Sequence, residues 1–148
     1  MKKLNNKGFT LIELLAVIVI LAIIMVVTIP NILTNIDTNK KKMFNTSADT
    51  VAKWVEDQYG LYQLGDEGLS NNFKTIIDGS TSKCSNTCTL DTAALNAAGV
   101  KGSNYTSASF TINNSGRACV TLVANNGQGD FKGVGTTPAT SSGCTSTS

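Results

Sequence analysis

One apolar run, FTLIELLAVIVILAIIMVVTI from Phe9 to Ile29, constrains this chain more than any other feature. It is 21 residues long and is broken only by Thr10, Glu13 and Thr28. As a helix it is roughly 32 Å long, because each residue rises about 1.5 Å. That length crosses a hydrocarbon core of about 30 Å. A helix apolar on every side has no face suited to water. Lys2, Lys3 and Lys7 precede the run, which favours a cytoplasmic N-terminus and an exported remainder. Lys40, Lys41 and Lys42 lie beyond the run and oppose that rule, but farther from the span.

The same three N-terminal lysines explain the basic balance. The whole chain has 12 Lys+Arg against 10 Asp+Glu, and only nine of the 12 lie after Gly8. From Phe9 onward the formal charge is therefore −1, which gives no footprint for a nucleic-acid surface. The chain has no histidine, which excludes Ser-His-Asp triads, Cys-His pairs and His-ligated zinc. No other set of residues supports catalysis, so the chain is read as a non-enzyme without cofactor.

Two details separate the run from an ordinary secretory signal. Such a signal has a shorter apolar core followed by a small-residue cleavage site. Here the run ends at Val27-Thr28-Ile29-Pro30, and the small residue that stands out is Gly8, before the run. The second detail is Glu13. A carboxylate inside an apolar span is costly unless neutralised or paired. Cleavage between Gly8 and Phe9 would give Phe9 a free ammonium one helical turn from Glu13. The carboxylate would then meet either its own terminus or that of a neighbouring chain, and the helix N-terminus also favours negative charge.

Taken together, Lys7-Gly8-Phe9-Thr10-Leu11-Ile12-Glu13-Leu14-Leu15 resembles the leader junction of type IV pilin precursors and the related pseudopilins. In that family a short basic leader ends in Gly, and the first mature residue is often Phe and becomes methylated. A Glu follows one turn later, here Glu13, and many members carry a Pro at the place of Pro30. The resemblance covers residues 1 to about 36. It implies cleavage between Gly8 and Phe9 by a prepilin peptidase and methylation of the Phe9 amine. It also implies pairing of Glu13 with the Phe9 ammonium of an adjacent subunit. The further partners it implies are the chain's own copies and other pilins, a membrane assembly platform with a cytoplasmic ATPase, and membrane lipid before assembly. Contact with a host surface or DNA is compatible with it. The subunit would sit in the cell membrane before assembly and in an extracellular filament after it.

The rest of the chain is read from its own pattern. Pro30 lacks an amide donor, so a kink or local loosening is expected near Val26–Pro30. Phe44, Ala48, Val51, Ala52, Val55 and Tyr59 fall on one helical face. Gly60 is the expected stop, giving one helix from about residue 9 to 59. Trp54 and Tyr59 are expected in helix–sheet contacts. Ser70 is a candidate cap for 71–77, stopped near Gly79, and Asp91 for 92–98, stopped at Gly99. Thr106, Ala108, Phe110 and Ile112 alternate with polar neighbours, as do Ala118, Val120, Leu122 and Ala124. The Asn113–Gly116 turn between them predicts a β-hairpin. Asn125–Asp130 reads as another turn, and 131–134 as a third strand. The fold class is therefore α+β, a long helix with an antiparallel sheet packed on its second half, as in the pilin fold. The expected divisions are a leader at 1–8, an apolar helix half at 9–29 and an amphipathic half at 30–60. A connecting region at 61–104 and a sheet with a closed C-terminus at 105–148 complete the chain.

Cys84, Cys88, Cys119 and Cys144 follow an export-like N-terminus, which suggests disulfides and an oxidising compartment. Four cysteines allow three pairings. The resemblance favours Cys119–Cys144 as a tail-closing bond, with Cys84–Cys88 closing the CSNTC loop; Cys84–Cys119 with Cys88–Cys144 is the rival. No metal site is expected. The NNGQGD segment offers calcium only one carboxylate, Asp130, and a zinc site would lack the right spacing. Asn104-Tyr105-Thr106 fits a glycosylation sequon, a pattern common by chance. The function expected is a pilin that polymerises into a surface filament for adhesion, motility or DNA uptake. The alternative is a pseudopilin of a type II secretion or competence system. An alternative of another class is a single-span adhesin or receptor that never polymerises.

Overall fold

The computed structural model describes residues 9–65, 68–80, 84–126, 129–135 and 137–145, apart from the side chains of residues 30, 31 and 33. The order of elements is α1 (Leu11–Leu64), α2 (Asn71–Asp78), β1 (Cys88–Thr89), α3 (Thr92–Ala97), β2 (Tyr105–Ile112), β3 (Ala118–Ala124) and β4 (Ala139–Thr140). Short 3-10 turns lie at Gly102–Asn104 and Ser142–Thr145. The class is α+β. The chain divides into two compact units, 1–38 and 39–148, and each is described by itself.

In the first unit the described residues are almost all helix, the beginning of α1. Eighteen large apolar side chains between Phe9 and Ile36 are exposed. The local loosening expected at Val26–Pro30 is not found, because α1 continues through Pro30. A proline there removes one backbone donor, and the turns before and after it keep the ladder. Nearby, the Thr28 hydroxyl donates to the Ile24 carbonyl, a bond that such side chains form within apolar helices.

In the second unit, α1 from Asn39 carries the apolar stripe. Phe44, Ala48, Val51, Ala52 and Val55 are all buried. They pack against a four-stranded antiparallel sheet of order β1-β2-β3-β4. The central hairpin pairs Ile112 with Ala118, Phe110 with Val120 and Ala108 with Leu122, so these six side chains share the core face. The turn between them is built by Asn113, whose Oδ1 accepts from the amides of Ser115 and Arg117. Gly116 takes the positive φ of 79° that closes it. Two aromatic groups reinforce the core. Phe73 of α2 lies between Trp54 and Phe110, with ring centroids at 5.6 and 5.9 Å. Phe44, Tyr105 and Phe131 form a second set at 5.3 to 6.2 Å.

Four local expectations are corrected. The helix does not stop at Gly60 but runs on to Leu64. Tyr59 and Tyr62 pack on the core from either side of Gly60 and hold that turn. Gly65, with φ of 68°, ends the helix instead, since a left-handed residue closes a helix most cheaply when it lacks Cβ. Ser70 occupies the cap position of α2 without a side-chain cap bond; its own amide is taken by the Gln58 side chain. Asp91, by contrast, caps α3 by accepting from the Ala94 amide at 2.7 Å. At the start of β2 a register irregularity between Tyr105 and Ser107 turns Tyr105 inward and leaves Thr106 exposed, against the simple alternation. Residues 131–134 are turn rather than strand. Gly133 and Gly135 there have positive φ, so Phe131 reaches the core from a loop and β4 supplies the outer strand.

Cys84 is bonded to Cys88 and Cys119 to Cys144. The second bond joins β3 to the 3-10 turn at Ser142–Thr145. Two carboxylates of α1 hold the same region. Asp49 accepts from the Ser142 amide at 2.7 Å, and Glu56 from the Ala118 amide at 2.9 Å. Gly143 lies so close to β3 that a Cβ would sit 2.3 Å from the Ala118 carbonyl oxygen. On chain-entropy grounds the long loop contributes about 3.5 kcal/mol and the short one about 2 kcal/mol.

Candidate functional site

The sequence-predicted site gathers at the beginning of α1. Gly8 lies outside the described residues. Phe9 is 88% exposed, and its nitrogen in this chain is a peptide amide because Gly8 precedes it. Thr10 stands immediately before the helix. Glu13 Oε2 accepts from the Thr10 amide and from the Thr10 hydroxyl, both at 2.8 Å. In return the Glu13 amide donates to Thr10 Oγ1 at 3.4 Å and to the Thr10 carbonyl at 3.1 Å. Thr10-Leu11-Ile12-Glu13 is thus a capping box, in which cap and third helical residue satisfy each other's orphan groups.

That box was legible in the sequence as a Thr followed three residues later by Glu, directly before an apolar run. The cost of an acid within an apolar run and its distance from Phe9 are the louder signals, and Thr10 passes as a mere interruption. Its consequence is chemical. The Glu13 carboxylate is oriented by neutral donors, which leave its charge intact. Among the described residues both bonds fall on Oε2, and Oε1 has no partner. A carboxylate has acceptor capacity for about four hydrogens, so Oε1 remains open to a donor from elsewhere.

Around the carboxylate the side chains are apolar and exposed, among them Leu11, Ile12 and Leu14. None of the most apolar stretch of α1 is buried by the rest of the chain. Leaving such side chains in water costs about 2 kcal/mol each, which decides against an aqueous setting for eighteen of them. Pro30 lies within α1. The four cysteines belong to the other unit and are structural there.

Two other sequence candidates resolve into packing. Asn104 of the sequon is 4% exposed. Its Nδ2 donates to Asp130 Oδ2 at 2.9 Å, and its Oδ1 accepts from the Asp130 amide at 3.2 Å. A glycan on that nitrogen would break the first bond. Asp130, the one carboxylate of the NNGQGD segment, is thereby engaged; residues 127 and 128 of that segment lie outside the described ones.

An apolar N-terminal helix with a capped acid one turn in marks a class: chains anchored in a membrane by their first helix. The comparisons agree. The family model described as prokaryotic N-terminal methylation motif matches residues 3–29. The chain is 33% identical over 69 residues to the ComG operon protein 3 homolog of Bacillus licheniformis, covering 47% of this chain and 67% of that one. It is 35% identical over 65 residues to competence protein ComGC of Bacillus subtilis, covering 44% of this chain and 62% of that one. No solved structure matches. The chain belongs to the type IV pilin-like family.

Proposed function

We propose that this chain is a filament subunit of the competence type. Its leader is cut between Gly8 and Phe9, the Phe9 amine is methylated, and the mature helix passes from the bilayer into a filament core. The observation that carries this is Glu13 itself, whose Oε2 is held by Thr10 at the start of an exposed apolar helix and whose Oε1 has no partner among the described residues. In the core of a helical bundle an unpaired carboxylate costs several kcal/mol. The new ammonium of a neighbouring subunit removes that cost only in the correct register, so the pair selects the docked arrangement. Apolar helices exchange lipid contacts for close packing at little net cost, which leaves the ion pair to decide. Head-to-tail stacking does not close on itself and gives a helical fibre.

The name of one relative, competence protein ComGC, supports a competence role over a long adhesive or motile pilus. A filament in that role would serve DNA uptake and would need a prepilin peptidase, an assembly platform and a cytoplasmic ATPase. Intact-mass measurement tests processing: loss of residues 1–8 with a methylated Phe9 is expected. A chain retaining all eight residues overturns the proposal and leaves a plain membrane anchor. Deletion separates the two filament readings. Lost transformation with only short, envelope-confined structures supports the competence role, whereas abundant sheared fibres containing the subunit support a surface pilus.

A further inference from the structure

The two disulfides differ in how far a thiol can reach them. Cys84 is 0% exposed and Cys88 7%, whereas Cys119 and Cys144 are half-buried. Reduction begins with attack of a thiolate on one sulfur, so access favours opening of Cys119–Cys144 first. The bonds also differ in what they hold. Cys84 and Cys88 sit against β2: the Cys84 carbonyl accepts from the Ile112 amide at 2.8 Å, and Cys88 pairs with Phe110. Cys119–Cys144 instead fastens residues 139–145 along the outer edge of β3. There Thr140 pairs with Thr121 and Ala139 with Leu122. Ser141 extends the edge with its amide and its hydroxyl. Its amide donates to the Val120 carbonyl, and its Oγ accepts from the Val120 amide, both at 2.9 Å. The same Oγ donates to the Ala118 carbonyl at 3.4 Å. Apolar packing adds little to this. Among the described side chains of the segment only Ala139 and Ser141 are buried. Ser142 and Gly143 line a small cavity of about 80 Å³ with the charged Asp49, Lys53, Glu56 and Arg117. Burying one alanine offsets little of the entropy of ordering the segment, so the covalent bond decides whether it stays.

We propose that residues 139–145 form a redox-gated strap, closed over β3 while Cys119–Cys144 is oxidised and released when a dithiol reduces that bond, with Cys84–Cys88 and the core intact. The strap does not depend on the filament reading. In the opening step a thiolate of the dithiol attacks one sulfur, and the other sulfur leaves as a thiolate and takes a proton. The second thiol of the reductant then displaces the mixed disulfide. Two electrons pass to the chain, and the reductant ends as a disulfide. Release leaves the amide and carbonyl of Val120 unpaired, an exposed edge to which another strand can add. The Ala118 amide is not released, because Glu56 of α1 accepts from it.

The test uses the full oxidised chain in detergent, treated with graded dithiothreitol and quenched with N-ethylmaleimide. Labelling is read by peptide mass spectrometry, and amide hydrogen exchange by NMR. We expect Cys119 and Cys144 to be labelled at reductant concentrations that leave Cys84 and Cys88 unlabelled. Exchange of the Val120 amide should then rise about tenfold or more. Exchange of the Ala118 amide and the Trp54 fluorescence should not change. Ser141→Ala removes the hydroxyl that serves Val120 and leaves both bonds in place. Because strap contacts and bond closure reinforce each other, it should make Cys119–Cys144 about tenfold easier to reduce. Gly143→Ala should act in the same direction, since its Cβ would sit 2.3 Å from the Ala118 carbonyl oxygen. Labelling of Cys84 and Cys88 first, or of all four cysteines together, overturns the proposal. So does a change in Trp54 fluorescence in step with reduction, which means that the domain unfolds. Labelled Cys119 and Cys144 with unchanged exchange at Val120 means a strap that stays closed without its bond. A Ser141→Ala chain no easier to reduce uncouples strap from bond, and either result also overturns it.

Discussion

The two parts of α1 are helical for different reasons. Residues 11–38, apolar in nearly every direction as far as Ile29, begin with the Thr10–Glu13 box and bury little within the chain. Residues 39–64 are apolar on one stripe, and Phe44, Val51 and Val55 on that stripe are almost fully buried. The second part brings its own environment, because the sheet completes its core. The first part leaves its environment to be supplied, by lipid and then by other copies. A substitution in the first part should therefore change partners, and one in the second should change stability.

That contrast is tested most severely at Glu13. Glu13→Ala removes the acid that would meet a neighbour's ammonium, and filament yield should fall more than tenfold, consistent with several kcal/mol for an unmatched buried charge. The melting temperature of the 39–148 domain, followed through Trp54 fluorescence in detergent, should stay within about a degree. Undiminished filaments from cells lacking wild-type subunit would falsify the docking role. Phe110→Ala is the mirror experiment. Phe110 is 1% exposed and stacked on Phe73, so its truncation should cost about 3–5 kcal/mol in denaturant unfolding. Membrane insertion of the chain should be unaffected.

A pair of glycines sharpens the picture within the second part. Gly60 lies inside α1, and a Cβ added there would meet no atom within 4 Å, so Gly60→Ala should stabilise by about 0.5–1 kcal/mol. Gly65 has equally open space but a φ of 68°, so Gly65→Ala should destabilise by about 1 kcal/mol. Opposite signs in chemical denaturation confirm where the helix ends. Equal signs would place the end elsewhere.

The legible parts of this fold are those with long periods. The all-round apolar run, the stripe from Phe44 to Val55 and the alternation in β2 and β3 each repeat often enough to fix an element. The junction Gly8-Phe9 and Glu13 stood out because a small residue and an acid are costly or unusual where they occur. What escaped reading has no period. β1 and β4 are two residues each and exist only because β2 and β3 offer them an edge. Phe131 looked like a strand residue because it is apolar, yet it is buried beside Phe44 and Tyr105 from a loop. Gly60 looked like a stop because local propensity opposes glycine, while tertiary packing of Tyr59 and Tyr62 overrides it.

The smallest expected effect lies at the end of α1's second part. Tyr62 donates to Asp78 Oδ1 at 2.7 Å, which joins α1 to α2. That bond, with the charge of Asp78, holds the Tyr62 hydroxyl above its usual range. Lys74 is raised for the same reason, through its bond to Asp78. A group whose folded pKa is raised contributes fully below the unfolded value and loses its contribution as pH climbs through the folded one. Both contributions are therefore present at neutral pH and fade above about pH 10. All these groups are solvated, so the loss should be a small fall in melting temperature between about pH 9 and pH 11. Tyr62→Phe should flatten part of that fall. Residues 11–38 contain no Lys, Arg or Tyr, only the acids Glu13 and Asp37, so their helicity should not change over this interval. A circular-dichroism titration of the full chain in detergent, set beside Trp54 fluorescence, separates the two parts. Alkaline loss of helix without a change at Trp54 would mean that the first part carries a dependence this arrangement does not provide.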